Sequence, residues 1–375
     1  MAMRRDGDVQ PGLIVSWSDV PRSPGHAFYD RLQTLLVDAG LDRFVEETCT
    51  AYYAPRMGAP SVLPGRYFRL LLIGYFEGIH SERGIAWRCS DSLSLREFLR
   101  LTTREKVPDH SWLSKTRSRL PHEVHDKIFG WVLGLVADHD LVQAERIGVD
   151  GSTRLGYKPE HAVDLDSGVI VAAPIHPADR GDTNTLGPTL EAAAQNLAAI
   201  GRMPTQDNPC DLVTDKGYHS REGLKGLAGG VWQSRISEPM PAKGVLRWHG
   251  DQTAQKAAYA NRSRLKSGAG RRAMRKRGEM VERSFAHVLD RTGMRRAWLR
   301  GRENVHRRYL IHVAGFNLGI PMRALFGCGT PRQTAAASMA LLFVVEAQDA
   351  LLLAVIGKVA GETGVLVITV AAAQL

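Results

Sequence analysis

The ten residues Asp211 to Ser220, DLVTDKGYHS, decide how the rest of the chain is read. Leu212 and Val213 lead into Asp215, and a glycine follows close behind, the pattern of a strand whose last side chain is presented at a turn. Carboxylates at the ends of neighbouring strands are common oxygen ligands for magnesium, a hard ion that keeps several waters and bridges to phosphate. One aspartate cannot hold such an ion. Two partners stand at useful distances along the chain. Asp150 lies in RIGVDGST at 146 to 153, where Ile147 and Val149 flank Gly148 before another acid-glycine pair, again a strand end. Glu282 lies in RGEMVERSF at 277 to 285, inside a helical pattern. Each acid alone is an ordinary turn or helix charge, but the three in this order say more.

Working outward, 375 residues allow two domains, or one large domain with an appendage. The net charge of +10 asks for a polyanionic partner, and its location is informative. From Tyr259 to Leu310 there are sixteen Arg or Lys against four Asp or Glu, so the remainder sums to about −2 and the basicity belongs to one segment. That segment also carries apolar residues at helical spacing and the third acid, which favours an ordered face toward nucleic acid over a disordered tail. Cys49, Cys89, Cys210 and Cys328 form no CxxC pair, so neither a zinc site nor a disulfide framework is expected. The start, MAMRRDGDVQPG, lacks the apolar core of a signal peptide, and a cytoplasmic protein is expected.

Residues 1–25 read as a loose arm rich in Gly, Pro and charge. Helical patterns follow: Phe28, Leu32, Leu35 and Leu36 share one face, and Phe68, Leu71, Leu72, Tyr75 and Phe76 share another behind Pro64. In DHSWLSKTRSRL, Asp109 can cap a helix with Trp112, Leu113, Thr116 and Leu120 inward and Lys115, Ser118 and Arg119 outward. That suits a helix-turn-helix reading the major groove, and equally a plain helical bundle with a charged outer face. Another amphipathic run, Glu123 to Val136, leads to the Asp150 strand. His161 to Leu165 and Val169 to Ile175 then read as a hairpin joined by Asp166, Ser167 and Gly168. DTNTLGPTLEAAAQNLAAIG reads as a helix capped near Asp182 or Thr183 and closed by Gly201. Asp164, Asp166, Asp179 and Asp182 are taken as turn or cap residues. Met240 to Gln255 reads as loop, and Glu303 to Leu325 as a long helix. The apolar stretch after Arg332 is interrupted by Glu346 and Asp349, and its last run is shorter than the ~20 residues that span a bilayer, so a packed or partly disordered tail is expected rather than an anchor.

VTDKGYHS at 213 to 220, YKPEHAVDLDSGVIVA at 157 to 172, PADRGDTNTL at 177 to 186 and RGEMVERSFAH at 277 to 287 resemble bacterial insertion-sequence transposases of the DDE class. So do MRRAWLRGRENVHRRYLIH at 294 to 312 and GFNLGIPMR at 315 to 323, and the likeness covers most of 26–332. The resemblance implies an α+β chain: a helical DNA-binding domain over 26–145, then a ribonuclease H-like mixed-sheet catalytic domain over 146–326; the apolar tail over 327–375 matches nothing in that family and has no assigned role. It implies a catalytic and metal-binding triad of Asp150, Asp215 and Glu282 for two magnesium ions, with manganese as a substitute. Only Gly151 to Gly156 separates the first acid from YKPEH, where many relatives carry a long insertion, and Gly278 and Arg275 stand where the Arg and Tyr of a related signature would be.

The function expected is cleavage of an insertion sequence's ends and their joining to target DNA by two-metal phosphodiester chemistry. The partner is double-stranded DNA, both element ends and target, bound by a homodimer or higher assembly near the bacterial nucleoid, with no membrane. Lys115, Arg119, Lys216, Arg262, Arg264, Arg271, Arg272, Arg275, Lys276, Arg277, Arg300, Arg307 and Arg308 are the candidate DNA contacts. The rivals are a decayed transposase that only binds DNA, and a stand-alone metal-dependent nuclease on the same fold.

Overall fold

The computed structural model describes residues 26–54, 61–102, 104–152, 156–239, 251–337 and 340. The expected arm over 1–25, the loop over 240–250 and most of the apolar tail lie outside the described residues.

The first half is helical: α1 (His26–Asp38), α2 (Leu41–Cys49), α3 (Pro64–Glu77), α4 (Glu82–Ser90), α5 (Leu93–Phe98), α6 (His110–Arg119) and α7 (His122–Asp138). Local chemistry sets their ends. Pro64 opens α3 at its first turn, and Gly78 closes it in the left-handed conformation at φ 70°, its N–H donating to Gly74 and Tyr75. Ser81 caps α4 and Asp109 caps α6, the latter accepting from the Trp112 amide as its sequence suggested. α3 is buried along most of its length and is the axis of this part.

The sheet follows. Its strands are β1 (Arg146–Gly151), β2 (Tyr157–Asp164), β3 (Ile170–Ala172), β4 (Ile175–Pro177), β5 (Cys210–Thr214) and β6 (Trp232–Ile236). The order is β3-β2-β1-β5-β6, with β4 also paired to β2. β1, β5 and β6 are parallel, while β2 runs antiparallel to β1 and β3. Strand, hairpin, helix and strand thus come in the ribonuclease H-like order. The helices of this half are α8 (Asp182–Ala199), α9 (Arg221–Leu227), α10 (Gln252–Lys266), α11 (Gly268–Phe285) and α12 (Arg302–Phe326). α10 begins earlier than the polar composition suggested, because Asp251 caps it by accepting from the Thr253 and Ala254 amides.

Consecutive strand residues point to opposite faces, and β2 shows which helices cover which. Glu160 accepts from the Thr185 and Thr189 hydroxyls of α8, whereas its neighbour His161 meets Ser284 of α11 and Tyr309 of α12. α8 therefore covers one face, and α11 with α12 the other. α12 also reaches back to pack against α7 and α3, so one helix is shared by the sheet and the helical part. The run from Arg302 to Ala337 is long and apolar enough to cross a membrane, but it is mostly buried inside the protein.

Both outer strands of the β3-to-β6 path would expose unpaired backbone groups, and each is closed by an asparagine. Asn261 of α10 accepts from the Ile236 N–H at 2.8 Å and donates to the Ile236 carbonyl at 2.8 Å. Asn317 of α12 does the same to Ile170 of β3, at 3.0 and 2.9 Å. Each side chain stands in for one residue of a missing strand. Because both backbone groups of Ile170 are buried, Asn317→Ala should cost ~2–4 kcal/mol by leaving two of them unpaired. Urea unfolding measures this, and a loss below about 0.5 kcal/mol would contradict the closing role.

Candidate active site

β1 and β5 are in parallel register with Val149 beside Thr214, so the next residues, Asp150 and Asp215, end neighbouring strands side by side. Each carboxylate is held by the turn that follows it. The Gly151 amide donates to Asp150 Oδ1 at 2.8 Å, and the Gly217 amide donates to Asp215 Oδ1 at 2.8 Å. Burial pushes the Asp150 carboxyl above its ordinary range against the opposing pull of Arg277 and the Gly151 amide, and the Asp215 charge adds to the rise.

Beneath the pair lies a buried polar network that the sequence did not disclose. Glu160 is 0% exposed and accepts from Tyr218 at 2.8 Å, from Thr185 at 2.7 Å and from Thr189. Lys158, 1% exposed, lies 3.1 Å from Glu160 and donates to Asp182 at 2.5 Å and Thr185 at 3.0 Å. Unpaired, either charge would be costly to bury, and paired they satisfy one another. Asp182, read as a cap, makes no side-chain cap bond at the start of α8. It reaches Lys158 instead and comes beside Asp215: a Cβ on Gly217 would lie 2.2 Å from Asp182 Oδ2 and 3.1 Å from Asp215 Oδ1. A side chain there would push against both carboxylates. The signal available in the sequence was the pair of charges in YKPEH, directly ahead of the apolar run that marks the hairpin.

α11 crosses above β1. A Cβ on Gly148 would lie 3.1 Å from Val281 Cγ2 and 3.2 Å from Arg277 Cγ, so the missing side chain lets the helix approach. Val281, Ser284 and Phe285 face the sheet, as the apolar spacing implied, but Arg277 joins that face and its Nη1 donates to Asp150 Oδ2 at 2.6 Å. Glu282 lies on the exposed side of α11, and its carboxylate makes no ion pair among the described residues. Glu279 pairs with Arg283 at 2.7 Å, an ordinary exposed arrangement. The fold thus brings Asp150 and Asp215 together, and Glu282 does not join them in a cluster in this geometry.

His161 anchors α11 to the sheet. Its ring stacks on Phe285 with centroids 4.1 Å apart, and burial lowers its pKa to about 3, so the imidazole is neutral. Ser284 donates its hydroxyl to the Val281 carbonyl, so His161 Nδ1–H donates to Ser284 and Nε2 accepts from Tyr309.

The basic candidates divide. Lys115 and Arg119 are exposed on the outer side of α6, and Lys216, Arg271, Arg272, Arg275 and Arg300 are exposed as well. Arg262 pairs with Glu238, Lys276 with Asp166 and Arg277 with Asp150, while Arg264 donates to the Ser234 carbonyl. Arg307 donates to the carbonyl of Arg117 at the end of α6. Arg308 departs from the expectation outright: it is 3% exposed, bonded to His312 and the Ile79 carbonyl, because its side of α12 packs into the helical part. It holds the two halves together and does not face a surface.

Residues 19–119 match the family described as Transposase domain (DUF772), and residues 133–318 match the Transposase DDE domain. No curated protein matches the chain significantly. Members of the second family use divalent metals, and the residues here fit one. Magnesium takes only one or two carboxylates and fills its shell with water and phosphate, and Asp150 and Asp215 supply two partly exposed carboxylates at adjoining strand ends. Among the described residues no three His, Cys, Asp or Glu side chains come together as a metal-binding group.

The neutral histidines make an acid-labile fold. His161 near 3, and His125 near 4, stay unprotonated while folded, whereas the unfolded chain protonates them near 6.5. Their contribution is complete above that value and is lost progressively as pH falls toward the folded values. The urea midpoint should therefore drop between pH 7 and pH 4.5, and a flat profile would contradict burial of these rings.

Proposed function

Because the chain belongs to the transposases that carry a DDE domain, we propose that it cuts DNA at the ends of an insertion sequence and joins the freed ends to target DNA. The observation that carries this reading is the parallel alignment of Asp150 with Asp215 within the matched segment. Asp150 and Asp215 would hold the magnesium ions, and Glu282, whose carboxylate makes no ion pair among the described residues, would be the third ligand. Bound there, the ions supply charge that activates a water or a DNA 3′-hydroxyl and stabilises the leaving oxygen.

The chain's own residues do the rest. The Gly151 and Gly217 amides fix one oxygen of each aspartate, and Arg277 holds the second oxygen of Asp150. Lys158 and Glu160 cancel within the floor, so the surplus negative charge lies at the strand ends where cations are wanted. Lys216, exposed beside Asp215, and Arg271, Arg272 and Arg275 along α11 would meet phosphates, while Lys115 and Arg119 on α6 would read the element's ends. A second reading, a chain that binds DNA without cutting it, is favoured by one feature, the separation of Glu282 from the two aspartates.

Magnesium-dependent nicking of a duplex bearing the element's inverted repeats separates the two. Asp215→Asn should abolish nicking and leave DNA binding nearly intact, since the amide keeps the shape but loses the charge a hard cation needs. Glu282→Gln should abolish it as well, whereas Glu279→Gln, which loses only an exposed pair with Arg283, should not. Residual nicking by Glu282→Gln would remove Glu282 from the site.

Binding to arbitrary duplex should weaken steeply with salt. Neutralising Arg271, Arg272 and Arg275 together should flatten the logarithmic slope by roughly 0.9 for each phosphate no longer neutralised. An unchanged slope would place the DNA on another face.

A further inference from the structure

Arg277 occupies the place where a metal ion's charge is needed. Asp150 Oδ1 is taken by the Gly151 amide, so Oδ2 is the oxygen left for a cation, and Arg277 Nη1 is on it at 2.6 Å. Lys158, the other cation below the strand ends, is committed to Asp182 and Glu160. The Arg277 side chain is only 14% exposed, yet its Nε is buried with no hydrogen-bond partner. A guanidinium presents five donors in a rigid fork, and here a buried one goes unused. Such a group can exchange a single carboxylate oxygen for an anion that accepts from two donors at once, as phosphate does. Its neighbours on α11, Arg272 and Arg275, are exposed, so DNA drawn to this helix would carry phosphates toward it.

We propose that Arg277 is an internal counter-ion which competes with the divalent metal for Asp150 and is released to a DNA phosphate, so that metal loading is coupled to DNA binding. In the DNA-free protein the guanidinium neutralises Asp150 and holds metal affinity low. On DNA the same guanidinium positions the backbone, and the freed Oδ2 becomes available. Arg277 is thus a positioning residue that suppresses metal-dependent chemistry away from substrate. The proposal rests on the reading of Asp150 and Asp215 as metal ligands.

The test is manganese binding to the full chain, followed by the decrease of the free-ion electron paramagnetic resonance signal, without DNA and with a short duplex. Wild type should bind weakly alone and about tenfold more tightly with duplex. Arg277→Met, which keeps most of the stem and loses the charge, should bind about tenfold more tightly without DNA and gain little from duplex. Arg277→Lys should keep the weak DNA-free binding, since it keeps the cation. Circular dichroism checks folding, and Arg277→Gln serves in place of Arg277→Met if that variant does not fold. Neutral variants that bind manganese no more tightly than wild type, or a wild type indifferent to duplex, would overturn the proposal. Asp215→Asn is the control on its premise: if that variant binds manganese as wild type does, the metal reading itself fails, and the coupling falls with it for a distinguishable reason.

Discussion

Where β1 and β5 pair in parallel with Val149 beside Thr214, the next residue on each strand is an aspartate, and two like charges are set at adjoining strand ends. That arrangement repels itself, and much of the surrounding structure answers to it. Amides from Gly151 and Gly217 hold one oxygen of each carboxylate, and Arg277 comes down from α11 onto Asp150. The absence of a side chain at Gly148 eases that close approach of helix to strand. In the floor Lys158 and Glu160 are buried as a pair and share the Thr185 hydroxyl, and Lys158 also holds Asp182. Residual negative charge is thereby concentrated at the rim, where a divalent ion and a phosphate would meet it.

The sheet would be open at both ends of its main path without the helices beside it. Asn261 and Asn317 each spend both ends of an amide on the backbone of an outer strand, a geometry in which an acid or a methyl group would leave a donor or acceptor unmet. Asn317 sits on α12, the helix that also carries Tyr309 to His161 and Arg308 to the helical part. Arg307, on the same helix, holds the carbonyl of Arg117 near the end of α6, close along the chain to the exposed Arg119. The helix proposed to read DNA is therefore braced against the element that closes the sheet.

Much of this was legible along the chain, because it depends on neighbours in sequence. Alternation and turn residues marked β1, the β2–β3 hairpin and β5; Asp109 and Pro64 marked the starts of α6 and α3; apolar spacing marked α12 almost to its ends. The two aspartates could be picked out as strand-end acids for the same reason. Periodicity and capping are short-range physics, set within a few residues.

Which charges meet was decided only by the tertiary structure. Arg277 and Asp150 are 127 residues apart, and nothing local tells a helix cation bound for DNA from one bound for an aspartate. Arg308 reads like its neighbours in the basic block, yet its side of α12 is the buried one. Lys158 and Glu160 drew no reading along the chain and Asp182 looked like a cap charge, yet the three form one polar network, because α8 lays threonines and a carboxylate against β2. Glu282 belongs to a helix legible in the sequence, but which way it points depends on how that helix is set on the sheet: Glu282 is exposed, and Arg277 took the inward direction. A sequence specifies its charges and their order, whereas the cost of burying one is settled by whatever partner the fold brings within hydrogen-bonding distance.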